Sequence, residues 1–339
     1  MADSGGHWAT LAECEKLTQS ELLAGVVDED PKRGNLLPLL PVRQAMGISI
    51  KWNRSNARRT ATRVSVGSQL TWSDNVTYTE VESKLSIFTD QTPLNKFVRD
   101  VYGTINNYAA QQMLELRVGL METQEDAVVY DDVDYNALHI RGLHHWAVDS
   151  TGTDLDIDEG EGPLSVMNMR VVVDAMRNGV DFILMPFCIR RQLSAFYQEA
   201  GRTAPSLMGS FMWAPNQAGI PIAFWDGIPI VCSDYLVAEQ ANTGVGANTR
   251  AKRTSGTNMY SVFFIKKGAP AMLTQDPGLI LAFGGDTNQS GEFFRPEYFE
   301  KLEGYDAAGV RLTSYIGMLA GSKFAIGRIY DITNTPVIA

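Results

Sequence analysis

Apolar and polar positions alternate with different periods along the chain, and the changes of period mark its segments. Strict alternation, the period of a half-buried strand, runs through Ile48-Ser-Ile-Lys-Trp. It returns in Val76-Thr-Tyr-Thr-Glu-Val-Glu-Ser-Lys-Leu-Ser-Ile-Phe, rich in threonine and aromatics. Between them Asn53–Asp74 is polar and basic, so residues 47–90 read as a long two-stranded excursion. A hairpin with so few apolar residues buries no core of its own and needs support from elsewhere. Helical spacing follows. Ile105, Tyr108, Ala109, Gln112, Met113, Leu116 and Leu120 predict a helix over 104–124, weakened modestly by Gly119.

From Leu164 the pattern is α/β. Val166, Met169, Val173 and Met176 predict a helix stopped at Asn178-Gly179. Phe182-Ile-Leu-Met is a short buried strand, and Pro186 opens a helix reaching about Ala200. Ile220–Trp225 and Ile228–Cys232 flank Asp226-Gly227, a type I′ hairpin signal. Further strands are expected at Tyr260–Ile265, Gly278–Phe283, Val310–Gly317 and Phe324–Ile332. Ser150–Pro163 reads as an acidic loop.

Residues 1–46 read as an arm, with a short amphipathic helix expected at Thr10–Ala24. In Leu36-Leu-Pro-Leu-Leu-Pro, the prolines exclude an α-helix or a central strand. An apolar extended segment is costly in water, so this one is expected on a partner's surface.

Charge sharpens this picture. The chain has 339 residues and a net charge of −10, the wrong sign for a free DNA-binding protein. The distribution is uneven. Pro31–Ser73 carries Lys32, Arg33, Arg43, Lys51, Arg54, Arg58, Arg59 and Arg63 without a carboxylate. Glu122–Gly162 carries twelve carboxylates opposed only by Arg141. Blocks of opposite sign often meet between neighbouring copies, and Arg54, Arg58, Arg59 and Arg63 are the candidate assembly contacts. No apolar run approaches the roughly 18 to 20 residues of a membrane span. The N-terminus lacks a basic-then-apolar leader, and Cys14, Cys188 and Cys232 have no CxxC spacing, which predicts reduced thiols inside a cell.

Candidate chemistry adds little. Gly317-Met-Leu-Ala-Gly-Ser-Lys323 falls one residue short of a phosphate loop and inverts its end. His139, His144 and His145, with Asp149 nearby, have no ordinary chelating spacing. Asp154-Leu-Asp-Ile-Asp-Glu-Gly lacks the glycine and closing glutamate of a calcium loop. No metal, cofactor or catalytic residue is expected.

The order of features resembles the major capsid proteins of tailed bacteriophages, the Hong-Kong-97 type, a fold shared with encapsulin nanocompartments. Besides the segments above, Glu125-Asp126 followed by Ile140-Arg-Gly-Leu, and Trp225-Asp-Gly-Ile-Pro-Ile-Val-Cys-Ser-Asp, are similar to recurring steps of that family. The resemblance implies an α+β fold with an N-terminal arm (1–46), a long β-hairpin or E-loop (47–90), a spine helix and peripheral domain (91–164) and an axial α/β domain (165–283). Strands at 310–339 would return to the peripheral domain. The aromatic-rich stretch 284–309 has no counterpart and reads as an insert. The implied function is an icosahedral shell of hexamers and pentamers around double-stranded DNA, with no membrane partner. It would work with a portal and possible decoration proteins, and with a separate scaffolding protein because no long charged segment precedes the arm. A protein-loaded compartment is the alternative within the fold, and a soluble α/β enzyme the alternative outside it.

Overall fold

The computed structural model describes residues 32–55, 60–69, 76–96, 108–203, 210–215, 221–240, 257–270, 276–285, 293–302 and 307–338. The expected helix at Thr10–Ala24 lies outside them. The described strands are β1 (Val42–Ala45), β2 (Ser49–Ser55), β3 (Tyr78–Lys84), β4 (Ser86–Asn95), β5 (Asp156–Ser165), β6 (Phe182–Met185) and β7 (Phe211–Pro215). They continue with β8 (Pro221–Trp225), β9 (Ile228–Cys232), β10 (Met259–Ile265), β11 (Leu279–Gly284), β12 (Arg295–Phe299), β13 (Ala307–Ala320) and β14 (Ile326–Ile338). The helices are α1 (Tyr108–Tyr130), α2 (Leu143–Val148), α3 (Val166–Ala175) and α4 (Phe187–Thr203).

Three sheets organise them. A seven-stranded sheet runs β5-β14-β10-β6-β9-β8-β7. Its parallel pairs, β5 with β14 and β6 with β9, sit among antiparallel ones. The four residues of β6 are all buried, the continuous apolar run of a central strand. Asp226 and Gly227 both take positive φ, 45° and 82°, as the β8–β9 turn demands. A five-stranded sheet is built on β13. β4 lies along one side, and β12 and then β11 along the other, with β1 parallel to β11. Among the described residues β2 and β3 pair only with each other.

The two larger cores divide accordingly. One packs α3 and α4 on the seven-stranded sheet through Met169, Val172, Ile189, Leu193, Val262 and Ile329. The other fills the junction of the sheets with the end of α1, α2 and residues from β6, β10, β11 and β13.

Several elements depart from expectation. α1 extends to Tyr130, because Gln124 and Glu125 are buried and Ala127-Val-Val continues the core stripe of Leu116 and Leu120. Its expected start near 104 lies outside the described residues. The acidic loop is largely β5, since Asp156 finds a buried cation rather than water. β11 leaves the unit expected over 165–283 and joins the five-stranded sheet, where it continues the edge begun by β12. Of the two final strands β13 belongs to that sheet, and β14 to the seven-stranded one. Within the stretch 284–309, Arg295–Phe299 is β12, an edge strand of the five-stranded sheet.

The arm differs most. Leu37–Leu39 is a 3-10 turn, and Leu36, Leu37 and Leu40 are buried in this chain's own junction core rather than left for a partner. The prolines forbid an α-helix but not a single tight turn. From Leu36 onward the arm is part of the fold.

Candidate assembly surface

The β2–β3 hairpin meets the body at its base and stands clear of it at its tip. The base is closed by the Leu85 N–H donating to the Ile48 carbonyl at 2.9 Å. Ser83 Oγ donates to the Met318 carbonyl at 2.8 Å, and Trp52 Nε1 to the Gly321 carbonyl at 3.3 Å. Toward the tip the residues lose cover. Tyr78 is exposed, and so is every residue from Thr60 to Gln69, including Val64 and Val66. Met46 and Ile48, beside the base, are exposed as well.

Arg54 belongs to the base. Its guanidinium donates to Asp149 Oδ2 at 2.7 Å and to the carbonyls of Ala320 at 2.6 Å and Gly321 at 3.2 Å. It lies 5.9 and 5.5 Å from the rings of Trp52 and Trp146, whose centroids are 6.0 Å apart. Only 18% of its side chain is exposed, so this planar fork is spent within the chain, on the acidic block it was expected to find on a neighbour. Lys32 meets that block too, 2.8 Å from Glu122. Lys51 spans Glu80 and Glu82 across the hairpin, and that pair of carboxylates raises its pKa. Arg63 is exposed, whereas Arg58 and Arg59 lie outside the described residues. Sequence spacing carries no sign of the Trp52–Arg54–Trp146 stack, because its members come from segments more than ninety residues apart.

Arg54→Ala is therefore expected to loosen the hairpin base, at a cost of about 1–3 kcal/mol for hydrogen bonds to a charged group. Trp52 and Trp146 should become more exposed, which tryptophan quenching reads directly.

The other candidate residues find partners within the chain, and Asp132, Asp134 and His145 lie close enough together to hold a metal ion. His145 Nδ1 lies 2.8 Å from Asp132 and 4.0 Å from Asp134, so its carboxylate partners are these and not Asp149. Asp156 of the would-be calcium loop is taken by Arg328 at 2.7 Å. Cys188 and Cys232 are free thiols. Burial pushes Cys232 up to about 11 and Cys188 in the same direction, which keeps both protonated near neutrality.

No family model and no curated protein matches the sequence. Solved structures do match over almost the whole length. The SrpI encapsulin complex of Synechococcus elongatus shares 12% identity, covers 97% of both chains and superposes with a TM-score of 0.67. The capsid of the native GTA particle shares 13% identity over 96% of this chain and 99% of that one, with a TM-score of 0.61. The capsid of cyanophage A-1(L) shares 11% identity, covers 94% and 98%, and gives 0.62.

The chain has the Hong-Kong-97-type capsid fold. In this chain Thr60–Gln69, between β2 and β3, is exposed throughout and carries two valines among polar residues. At 11–13% identity it is the fold that these structures share with the chain.

Proposed function

We propose that this chain is the major capsid protein of a tailed bacteriophage, a subunit that assembles in many copies into an icosahedral head around double-stranded DNA. The carrying observation is the β2–β3 hairpin. Its connecting segment exposes Val64 and Val66 beyond any core of its own chain, yet its paired strands are fastened by Arg54 and two tryptophans. A hairpin so held presents apolar surface to a neighbour in a fixed direction, and repetition around symmetry axes closes a shell. In this reading β2–β3 is the E-loop, α1 the spine helix, the five-stranded sheet the peripheral domain and the seven-stranded sheet the axial domain. The partners are further copies in hexamers and pentamers, a scaffolding protein, a portal and possible decoration proteins. The location is the virion, after assembly in the host cytoplasm. No catalytic role is proposed.

Electron microscopy of the purified chain, alone and co-expressed with a scaffolding protein, tests assembly: closed shells are expected, and monomers in both preparations would overturn the reading. The TM-score of 0.67 to an encapsulin favours a protein-loaded compartment as the second reading. Shells whose contents are nuclease-protected DNA support the first, and shells filled with protein support the second. Charge reversal at Arg58 and Arg59 is expected to lower shell yield while leaving the monomer folded, because a block of like charge is matched by a neighbour in this reading. Normal shells from that variant would remove these arginines from the interface.

A further inference from the structure

Glu125 is an unusual carboxylate. It projects from α1 into the junction core with only 1% of its surface exposed. Its oxygens accept the backbone N–H groups of Leu36 at 2.8 Å and Leu37 at 3.0 Å, the first residues of the docked N-terminal segment. Those two donors open the 3-10 turn and have no partner within it, so the side chain caps the turn from ninety residues away. Around it, α1 contributes Glu122 and Asp126 and, one turn on, Tyr130, which bonds Glu239. The N-terminal segment contributes Lys32 and Arg33, and the segment after β9 contributes Asp234 and Tyr235. The two cations are engaged elsewhere, Lys32 with Glu122 at 2.8 Å and Arg33 with Asp234 at 3.3 Å. Among the described residues no cation lies at ion-pair distance from Glu125.

We propose that Glu125 is a proton-linked clamp: the Leu36–Leu40 segment docks most firmly when this carboxyl is protonated, and its hold weakens as the carboxyl ionises. Two backbone donors favour the ionised form, but desolvation outweighs them. Burial pushes the Glu125 carboxyl up to about 7, from 4.5 when exposed. The sign follows from linkage. The docked state binds the proton more tightly than the undocked one, so docking takes up a proton and is progressively lost as pH rises from about 4.5 through about 7. The consequence reaches beyond the turn, because the same segment leads into β1 and its parallel pairing with β11. A shift of pH near neutrality thereby adjusts how firmly the edge of the five-stranded sheet is held.

Hydrogen exchange on the full chain tests this through the very amides involved. After correction for the intrinsic pH dependence of exchange, protection at Leu36 and Leu37 should fall about tenfold between about pH 6 and about pH 8. Amides of β14 should keep their protection over that range. Glu125→Gln keeps one acceptor and cannot ionise, so its protection should be independent of pH. Glu125→Ala leaves both donors without the carboxylate and should expose the turn at every pH. Unchanged wild-type protection across the interval would overturn the proposal whether or not either variant folds, and so would an equal fall in Glu125→Gln.

Discussion

Arg328→Ala should cost this protein about 3–5 kcal/mol, the price of leaving a buried charge without its partner. Arg328 sits in β14 with 1% of its side chain exposed. Its Nε and one terminal nitrogen grip both oxygens of Asp156 in β5, at 2.7 and 3.0 Å. The other terminal nitrogen lies 3.3 Å from His144 Nδ1, and donation to that atom places the ring proton on Nε2. Nε2 in turn lies 3.2 Å from Glu239, a fully buried carboxylate that accepts hydroxyls from Tyr130 at 3.1 Å and Ser261 at 2.7 Å. One chain of polar groups thus ties β5, β14, α2, β10 and the end of α1 together inside an apolar junction. Without the guanidinium, Asp156 stays in the core with the Thr151 hydroxyl as its one remaining side-chain donor among the described residues, and the His144 ring loses its orientation. The double change Arg328→Met with Asp156→Leu removes both charges at once and should recover most of the loss. Chemical denaturation at constant slope measures both. A single variant within about 1 kcal/mol of the parent would show that water reaches this pair.

The elements that local pattern revealed are those whose burial is local. β6 is a run of four apolar residues and is buried on every one. The β8–β9 turn needs two left-handed residues, and Asp226-Gly227 supplies them. β2 alternates in exposure as its period requires, whereas β3 is exposed over its first three residues and covered only near its end. Where expectation failed, the deciding partner was distant. Asp156 looked like one more solvated carboxylate because Arg328 is 172 positions away. Leu36-Leu-Pro-Leu-Leu-Pro looked orphaned because the acceptor for its N–H groups is Glu125. A stretch of carboxylates reads as surface when each is taken alone, and nothing in the spacing shows that Glu125 and Asp156 point inward while Asp158 does not.

The candidate surface divides in the same way. Clustering of basic residues between Pro31 and Ser73 raised the question of where their charge is matched. Arg54 and Lys32 find the acidic block in the same chain, because the hairpin base and the segment before β1 both fold back toward it. Opposite blocks within one sequence therefore do not by themselves separate an interface from an internal strap, since both satisfy the same electrostatics. The apolar tip residues are the more discriminating sign. A cation at the surface has water to fall back on, whereas Val64 and Val66 gain only from a partner.

Gly34→Ala should release the N-terminal segment and destabilise the chain by about 3 kcal/mol or more, combining left-handed strain with backbone overlap. Gly34 has φ +78°, a conformation that side chains with a Cβ adopt at a cost. An added methyl would also fall on the carbonyl of Cys232 and within 2.7 Å of the Ser233 Cα, backbone atoms that cannot turn aside. At this point the segment lies flat on the chain leaving β9, held by the Asp234 N–H to the Arg33 carbonyl and the Arg33 N–H to Asp234 Oδ2, both 3.0 Å. Lifting it withdraws Leu36, Leu37 and Leu40 from the junction core and parts Leu36 and Leu37 from Glu125. The same change at Gly119 gives the contrast. That glycine is in α1 with nothing near its would-be methyl, so Gly119→Ala should stabilise by up to about 1 kcal/mol through helix propensity alone. Thermal melting of the two variants should move in opposite directions, and protease cleavage near residue 34 should accelerate only in Gly34→Ala. A melting temperature unchanged in Gly34→Ala would mean that the segment finds another path over β9, and would remove the close approach as the reason for a glycine there.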